Sequence, residues 1–503
     1  MGNMPVDLSI ELRLAYLRAA MTAQEDEEDK IQTYRAFFEG EQGVLLTDRQ
    51  KEYLVQAVES LGNVCKRTVA IPKDRLELQP EGIAAADSAS QSYADAATGW
   101  WTAANDDTGE ADINTLQKDL YEASLRDSSV ALIVGWDDSM ARPTFTPNLI
   151  YDGETGLIRF HYDNNNRLLF ASKRWTVWNP LVLSETGKRR LTIYRPGQIE
   201  RFEADGSVPG GWRFLTPAEL RDADNPQGLP NPQPWTDNGM FSGQPLGIPV
   251  IPFENPGGSE LADVINLQEL LNHGLSTFDV ATDFHAFPLL WFVNANFPVD
   301  QATGKTIMPD FGPGQAINMD VDGRAGRIEP ADLIKMFQAG ILSWVQILAL
   351  VKGWPFFLFD RSQQPPSGVA LQIMEGSLVN QVKDKQVAFS GSWRRAFNMA
   401  RKLHRLKTRQ DLPGDLVLNW QPAETANDMA RFEALEKKFT AGEVPVEQRW
   451  RELGYTDKQI TEMKAMREAA KPDIPPVVMS GQPVQVKGPD ENGNLNQQKE
   501  LMQ

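Results

Sequence analysis

The chain has 503 residues, with 50 Lys and Arg against 68 Asp and Glu and a formal charge of −18. That balance excludes a simple basic nucleic-acid binder, while 41% hydrophobic and 23% charged residues is ordinary globular composition, enough for roughly two to four domains. The lone Cys65 excludes an internal disulfide framework, reads as a small buried thiol and points to a reducing compartment.

The opening MGNMPVDLSIELRLAYLRAA contains acids and no long apolar run, so no signal peptide is expected and the protein is expected to stay where it is made. The first 125 residues read as helices joined by short loops. Leu8, Ile10, Leu12, Leu14 and Leu17 precede an acidic stretch, Tyr34, Phe37 and Phe38 recur at helical spacing before Gly40, and Leu54, Val58, Leu61 and Val64 mark a further amphipathic segment. From Ser129 the texture changes to short β-branched and aromatic runs: Val130 to Trp136, Leu157 to Tyr162, Leu168 to Trp175, Leu191 to Tyr194 and Ile199 to Phe202. Turn signals such as Asp152-Gly153, Pro196-Gly197 and Asp205-Gly206 separate them, which predicts an antiparallel sheet. Residues 207–247 read as a long surface excursion that ends in a proline-broken strand, Gly247 to Asn255.

Ser259 is expected to cap a helix running to about His285, with Leu261, Val264, Leu267, Leu271, Leu275 and Phe278 on one face. A compact insert follows, with strand-like pieces Leu289 to Val293 and Gln315 to Met319, and then a helix from Pro330 to Val351. Met336 to Phe359 is the most apolar stretch, but Gln338, Gln346, Lys352, Gly353 and Pro355 argue for a buried helix ending at Gly353 rather than a membrane span. Ser367-Gly368 opens the longest helix, Val369 to about Thr408. Phe389, Trp393, Phe397, Ala400, Leu403 and Leu406 share one face; Arg394, Arg401, Arg405 and Arg409 form a basic face with no acid between its ends. That face reads either as a solvated helix end or as an inter-subunit or nucleic-acid contact. The C-terminal part is expected to be helical, with Gly442 ending one helix and Pro445 starting the next, before a Pro/Gly/Asn/Gln-rich tail from Lys471 that composition marks as disordered.

Tests for chemistry are negative. Gly187-Lys188 and Gly304-Lys305-Thr306 lack the upstream glycine of a phosphate loop, having Val182 and Val299 there. His161, His273, His285 and His404 are scattered, and the pairs Asp106-Asp107, Asp137-Asp138 and Asp320 with Asp322 read as solvated turn acids. No catalytic, metal or cofactor residue is assigned.

The order of these elements, from Tyr34-Arg35-Ala36-Phe37-Phe38-Glu39-Gly40 through Gly247 to Asn255 and Ser367-Gly368-Val369-Ala370-Leu371 to the Gly442 to Gly454 hairpin, resembles the portal proteins of long-tailed (siphophage-type) bacteriophages. The resemblance implies a mainly helical α+β portal fold that forms rings. Its parts would be a wing (1–255), first stem helix (256–286), clip (287–329), second stem helix (330–353), tunnel loop (354–367), long wing helix (368–412), crown (413–471) and tail (472–503). It also implies a dodecameric homo-oligomer at one capsid vertex, in the virion after assembly in the host cytoplasm. Double-stranded DNA would pass through it in packaging and ejection, with no membrane partner. The large terminase would dock on the clip, a head-tail connector or adaptor would follow it, and major capsid and scaffolding proteins would surround the ring. By the same resemblance Phe356, Phe357, Phe359, Arg361, Gln363 and Gln364 belong to the tunnel loop. Asn296, Asp300, Lys305, Asp310, Arg324 and Arg327 belong to the docking clip. Two other readings stay open: a DNA-processing enzyme with an unrecognised acidic metal site, and a membrane-associated scaffold using 336–359.

Overall fold

The computed structural model describes residues 9–22, 25–41, 63–103, 113–152, 156–179, 184–205, 233–234, 240–241, 244–286, 290–295, 297, 299–306, 319–327, 333–358, 370, 373–424, 435–442, 445–452, 460–464 and 466. The chain divides into two compact units, Met1–Thr425 and Ala426–Gln503. The first unit opens with helices α1 (Ile10–Thr22), α2 (Glu25–Glu39) and α3 (Val64–Lys73), strand β1 (Leu78–Ala85), and helices α4 (Gln91–Thr102) and α5 (Ile113–Asp127). Strands β2 (Ser129–Asp137), β3 (Arg142–Leu149), β4 (Leu157–Tyr162), β5 (Leu168–Asn179), β6 (Ser184–Arg195), β7 (Gln198–Asp205) and β8 (Val250–Glu254) follow. Helix α6 (Ile265–Ala286), strands β9 (Leu290–Ala295) and β10 (Met319–Arg327), helices α7 (Leu333–Lys352) and α8 (Gly376–Thr408), and β11 (Leu416–Trp420) complete it.

The core is built around α8. Its three- and four-residue steps bury Phe389, Trp393, Phe397, Ala400 and Leu403, as the sequence period predicts. Tyr121 of α5 stacks on Phe389 at 5.2 Å and accepts a 2.9 Å hydrogen bond from the Trp393 indole, which satisfies both polar tips inside the core. Trp101 and Phe253 meet Trp393 edge-on at 4.8 and 5.0 Å. The proline-broken strand is β8, antiparallel to β2 in the order β8-β2-β3. As an edge strand it tolerates Pro252, whose carbonyl accepts from Ser392 Oγ at 2.7 Å. Strands β4 to β7 form one antiparallel sheet, extended by Gln233–Pro234. Helix α1 lies on that sheet, where Tyr16 stacks on Phe170 at 4.4 Å and Arg13 pairs with buried Glu200.

The interior also receives Cys65, buried as expected, and burial pushes its thiol up to about 12. Among the described residues no helix is long and apolar enough to cross a membrane.

Several expectations change. The opening is not all helix: β1 pairs with β11 across a bulge between Leu78 and Ile83. A Cβ at Gly82 would stand 2.1 Å from the Asn419 carbonyl, so glycine permits that approach. β11 consequently belongs to the first unit, in a part of the chain expected to be helical. Ser259 does not cap a helix. Its hydroxyl accepts from Leu261 N at 3.1 Å and donates to the Arg126 carbonyl, which holds 259–264 in turns so that α6 starts at Ile265. Of the second expected strand, Gln315 to Met319, the first four residues lie outside the described residues and Met319 opens β10. Of the longest helix's expected start, Val369 lies outside the described residues; Ala370, Ile373 and Met374 are helical, and a turn at Glu375, buried and paired with Arg75 at 2.9 Å, separates them from α8.

In the second unit, Pro445 immediately precedes α9 (Val446–Glu452), and its carbonyl accepts from Arg449 N. The Arg449 guanidinium covers the Phe439 ring at 4.4 Å and pairs with Glu436.

Candidate functional site

Three chain segments that are remote in sequence converge where α6, α7 and α8 meet. Helix α7 ends as its sequence predicts, at Gly353 with φ +64°. Gly353 N donates to the Leu350 carbonyl at 3.1 Å and Trp354 N to the Ala349 carbonyl at 2.9 Å, which is the paired bonding of a Schellman stop. The stop turns Trp354 inward, to 4% exposure, and its indole donates to Gln381 Oε1 at 2.8 Å. Gln381 Nε2 in turn donates to the Lys352 carbonyl at 2.8 Å, tying the end of α7 to α8.

Beside this bracket lies a buried ion cluster. The Glu260 carboxylate, just before α6, accepts from Lys352 Nζ at 3.1 Å, Lys385 Nζ at 2.7 Å and Asn255 Nδ2 at 3.1 Å. All three charged side chains are less than a tenth exposed. Burial by itself would raise the carboxyl, but Lys385 and Lys352 outweigh it and hold Glu260 below the usual carboxylate range. Two cations face one anion, so the cluster carries a net positive charge that a single carboxylate holds together. Glu260 thereby links the segment leading into α6 to the end of α7 and to α8. At the start of α8 Glu375 plays a similar part, accepting two hydrogen bonds from Arg75, which also donates to the Ala423 carbonyl.

The segment that leaves this junction carries the expected tunnel-loop residues. Phe356 and Phe357 lie in a single 3-10 turn, Phe356–Leu358, with Phe356 half-buried. Phe359, Arg361, Gln363 and Gln364 lie outside the described residues.

At the other end of α6, β9 and β10 pair as a two-stranded ribbon, with Trp291 opposite Gly326. A Cβ at Gly326 would meet the Trp291 ring at 2.6 Å, so the glycine lets the indole lie across the partner strand. Asp300 shapes the adjoining turn, accepting from Ala302 N at 3.0 Å and from the Thr303 hydroxyl, while Gly304 N donates to its carbonyl. The Thr303 hydroxyl, more than any other group, holds its carboxyl below the usual range. Lys305 and Arg324 are exposed on this ribbon and turn, and Arg327 ends β10 opposite Leu290. Asn296 and Asp310 lie outside the described residues.

The basic face of α8 is partly internal. Arg401 stacks over Tyr93 at 4.8 Å and donates to the Gly414 carbonyl. Arg405 covers Phe241 at 5.1 Å and pairs with Asp411 at 3.3 Å, an acid that the loop after the helix folds back. Arg394 and Arg409 are exposed, the latter as the left-handed C-cap at φ +63°. Of the turn acids, Asp137 accepts from Ser139 N and Oγ in the β2–β3 connection. Among the described residues no three His, Cys, Asp or Glu side chains gather as metal ligands would.

Sequence reasoning missed the Glu260 cluster. One signal was present: Lys385 interrupts the apolar stripe of Leu378, Val382, Phe389 and Ala396, a position where helical period calls for a hydrophobe.

The family model "Phage portal protein, SPP1 Gp6-like" matches residues 160–473, more than half of the chain, and the chain belongs to that family. The portal proteins of Mycobacterium phages D29 and L5 are each 25% identical to it over 175 residues, 34% of this chain. The matched stretch spans 36% and 35% of those two relatives, about a third of their length.

Proposed function

We propose that this chain is the repeating subunit of a dodecameric ring at one capsid vertex, through which double-stranded DNA is packaged and later ejected. In this reading α6 and α7 are the stem, the β9–β10 ribbon is the clip, 354–367 is the loop toward the channel and α8 is the wing helix. The large terminase docks on the clip during packaging, where Lys305 and Arg324 are exposed, and a head-tail connector takes its place afterwards. Major capsid and scaffolding proteins surround the ring, which assembles in the host cytoplasm and ends in the virion. No catalytic step is part of this role.

The family match carries the reading, because 160–473 contains α6, the ribbon, α7 and α8 in one stretch. The ion cluster supports it: a channel wall under load needs its stem helices fixed to the wing. Charge is also compatible. Duplex DNA is gripped by Lys and Arg through counterion release, whereas a conduit requires weak contact at every position, and a subunit charge of −18 favours sliding over holding.

Imaging of the purified full chain by negative stain, together with its mass in solution, tests the proposal. A closed ring with a central hole wide enough for a duplex is expected; a monomer at every concentration, or Mg²⁺-dependent DNA turnover, overturns it.

A further inference from the structure

Strand β2 outruns one of its neighbours. Its partner β8 begins at Val250, opposite Ile133, while β2 continues to Asp137 against β3. Pro249 accepts from Val134 N at 2.9 Å but has no N–H to return, so the ladder ends there. Backbone groups of alternate residues point to the same side of a strand, so those of Trp136, like those of Val134, face away from β3. Among the described residues no backbone group bonds to Trp136 on that side.

The open edge is one wall of a groove of about 380 Å³, within the range of ligand sites. Opposite it stand Tyr194 of β6 with Ile199 and Arg201 of β7, and α8 contributes Leu403 and Lys407. Gly135 puts no side chain into this space. The buried Ile199 and Leu403 make part of the lining apolar.

The charges at the groove are matched except for one. Asp138 pairs with Lys407 at 3.2 Å, and Asp137 sits opposite Arg142 in the ladder. Arg201 is exposed and has no carboxylate partner among the described residues. An apolar slot with free backbone groups on one wall and a guanidinium at its mouth matches an extended chain that brings N–H and C=O groups, a small apolar side chain and a carboxylate. A single unmatched cation is no phosphate track, so duplex DNA gains little there.

We propose that this groove takes up an extended acidic peptide segment of a partner protein, which adds to the free edge of β2 at Trp136 and sets a carboxylate against Arg201. The site does not depend on the ring reading above.

The full chain is titrated with a fluorescein-labelled hexapeptide of alternating Glu and Val and with its Lys and Val counterpart. The acidic peptide is expected to bind at least about tenfold tighter than the basic one, and Arg201→Glu, a change at an exposed position, to abolish that preference. Hydrogen exchange locates the contact: the Trp136 amide should exchange about tenfold or more slowly with the acidic peptide bound. Replacing the central Val of the peptide by Pro removes an N–H from the added strand and should weaken binding. No binding of the acidic peptide at about 1 mM, equal binding of the two peptides, or binding that leaves the Trp136 amide unchanged overturns the proposal. Slowing of the same amide by self-assembly alone, or by duplex DNA, also overturns it and assigns the groove to a second copy or to nucleic acid.

Discussion

The region around α8 and the α6–α7 hairpin are both helical and both rich in apolar residues, yet they solve burial in opposite ways. Around α8, Trp101, Tyr121, Phe253, Phe389, Trp393 and Phe397 are buried by the chain's own strands and helices, and the Trp393 indole donates to the Tyr121 hydroxyl inside. The hairpin is anchored at its root by ions, with Glu260 between Lys352 and Lys385, and leaves Leu350 four-fifths exposed a few residues away. The first arrangement is complete in one chain. The second is fixed at one end and leaves apolar side chains of α7 exposed along its length.

The contrast can be broken most strongly from the core side. Trp393→Ala removes the ring shared by Trp101, Phe253 and Phe397 and leaves the Tyr121 hydroxyl without its donor; a loss of about 3–5 kcal/mol is expected in denaturant unfolding followed by fluorescence. Glu260→Gln tests the root of the hairpin. It leaves two buried ammonium groups facing a neutral amide, with an expected cost of about 3 kcal/mol. Hydrogen exchange should report that loss first in the amides of 333–358, whereas faster exchange confined to the α8 core would contradict the junction's role.

The same carboxylate predicts a pH dependence. Its folded pKa lies below its unfolded value, so the stabilisation is fully present above the unfolded pKa near 4.5 and is lost as pH falls through the lower folded value. Wild-type stability should fall more steeply than that of Glu260→Gln below about pH 4.5, and parallel curves for the two proteins would remove the linkage. A smaller effect is expected at the helix stop: Gly353→Ala forces a left-handed backbone on alanine and brings a methyl to within 2.9 Å of Ser377 Oγ. It should cost about 1–2 kcal/mol by thermal unfolding. The smallest contrast lies along the basic face. Arg394→Ala, at an exposed position, should change stability by less than about 0.5 kcal/mol, and Arg401→Ala, which loses the Tyr93 ring and the Gly414 carbonyl, by about 1 kcal/mol.

Much of this was legible from local pattern. The buried stripe of α8, the stop at Gly353, the proline-broken strand at 250–254 and the buried Cys65 follow from period, glycine and proline, which act over a few residues. What was not legible depends on partners far along the chain. Strand β1 was hidden because its mate, β11, lies beyond α8. Ser259 looked like a cap because nothing local shows its hydroxyl engaged by the Arg126 carbonyl. Arg405 looked unpaired until the loop after α8 folded back and brought Asp411 to it.

The sequence by itself determined most of the order of helices and strands from β2 to α8, the family and the acidic charge, since periodicity, motif order and composition need no third dimension. Only the tertiary structure decided that the glutamate ahead of α6 pairs with lysines at the end of α7 and within α8, and that α7 leaves Leu342, Ile347, Leu350 and Val351 exposed. Buried charge pairing and surface exposure are relations between segments, and the value of each residue in them is set by what the fold places opposite it.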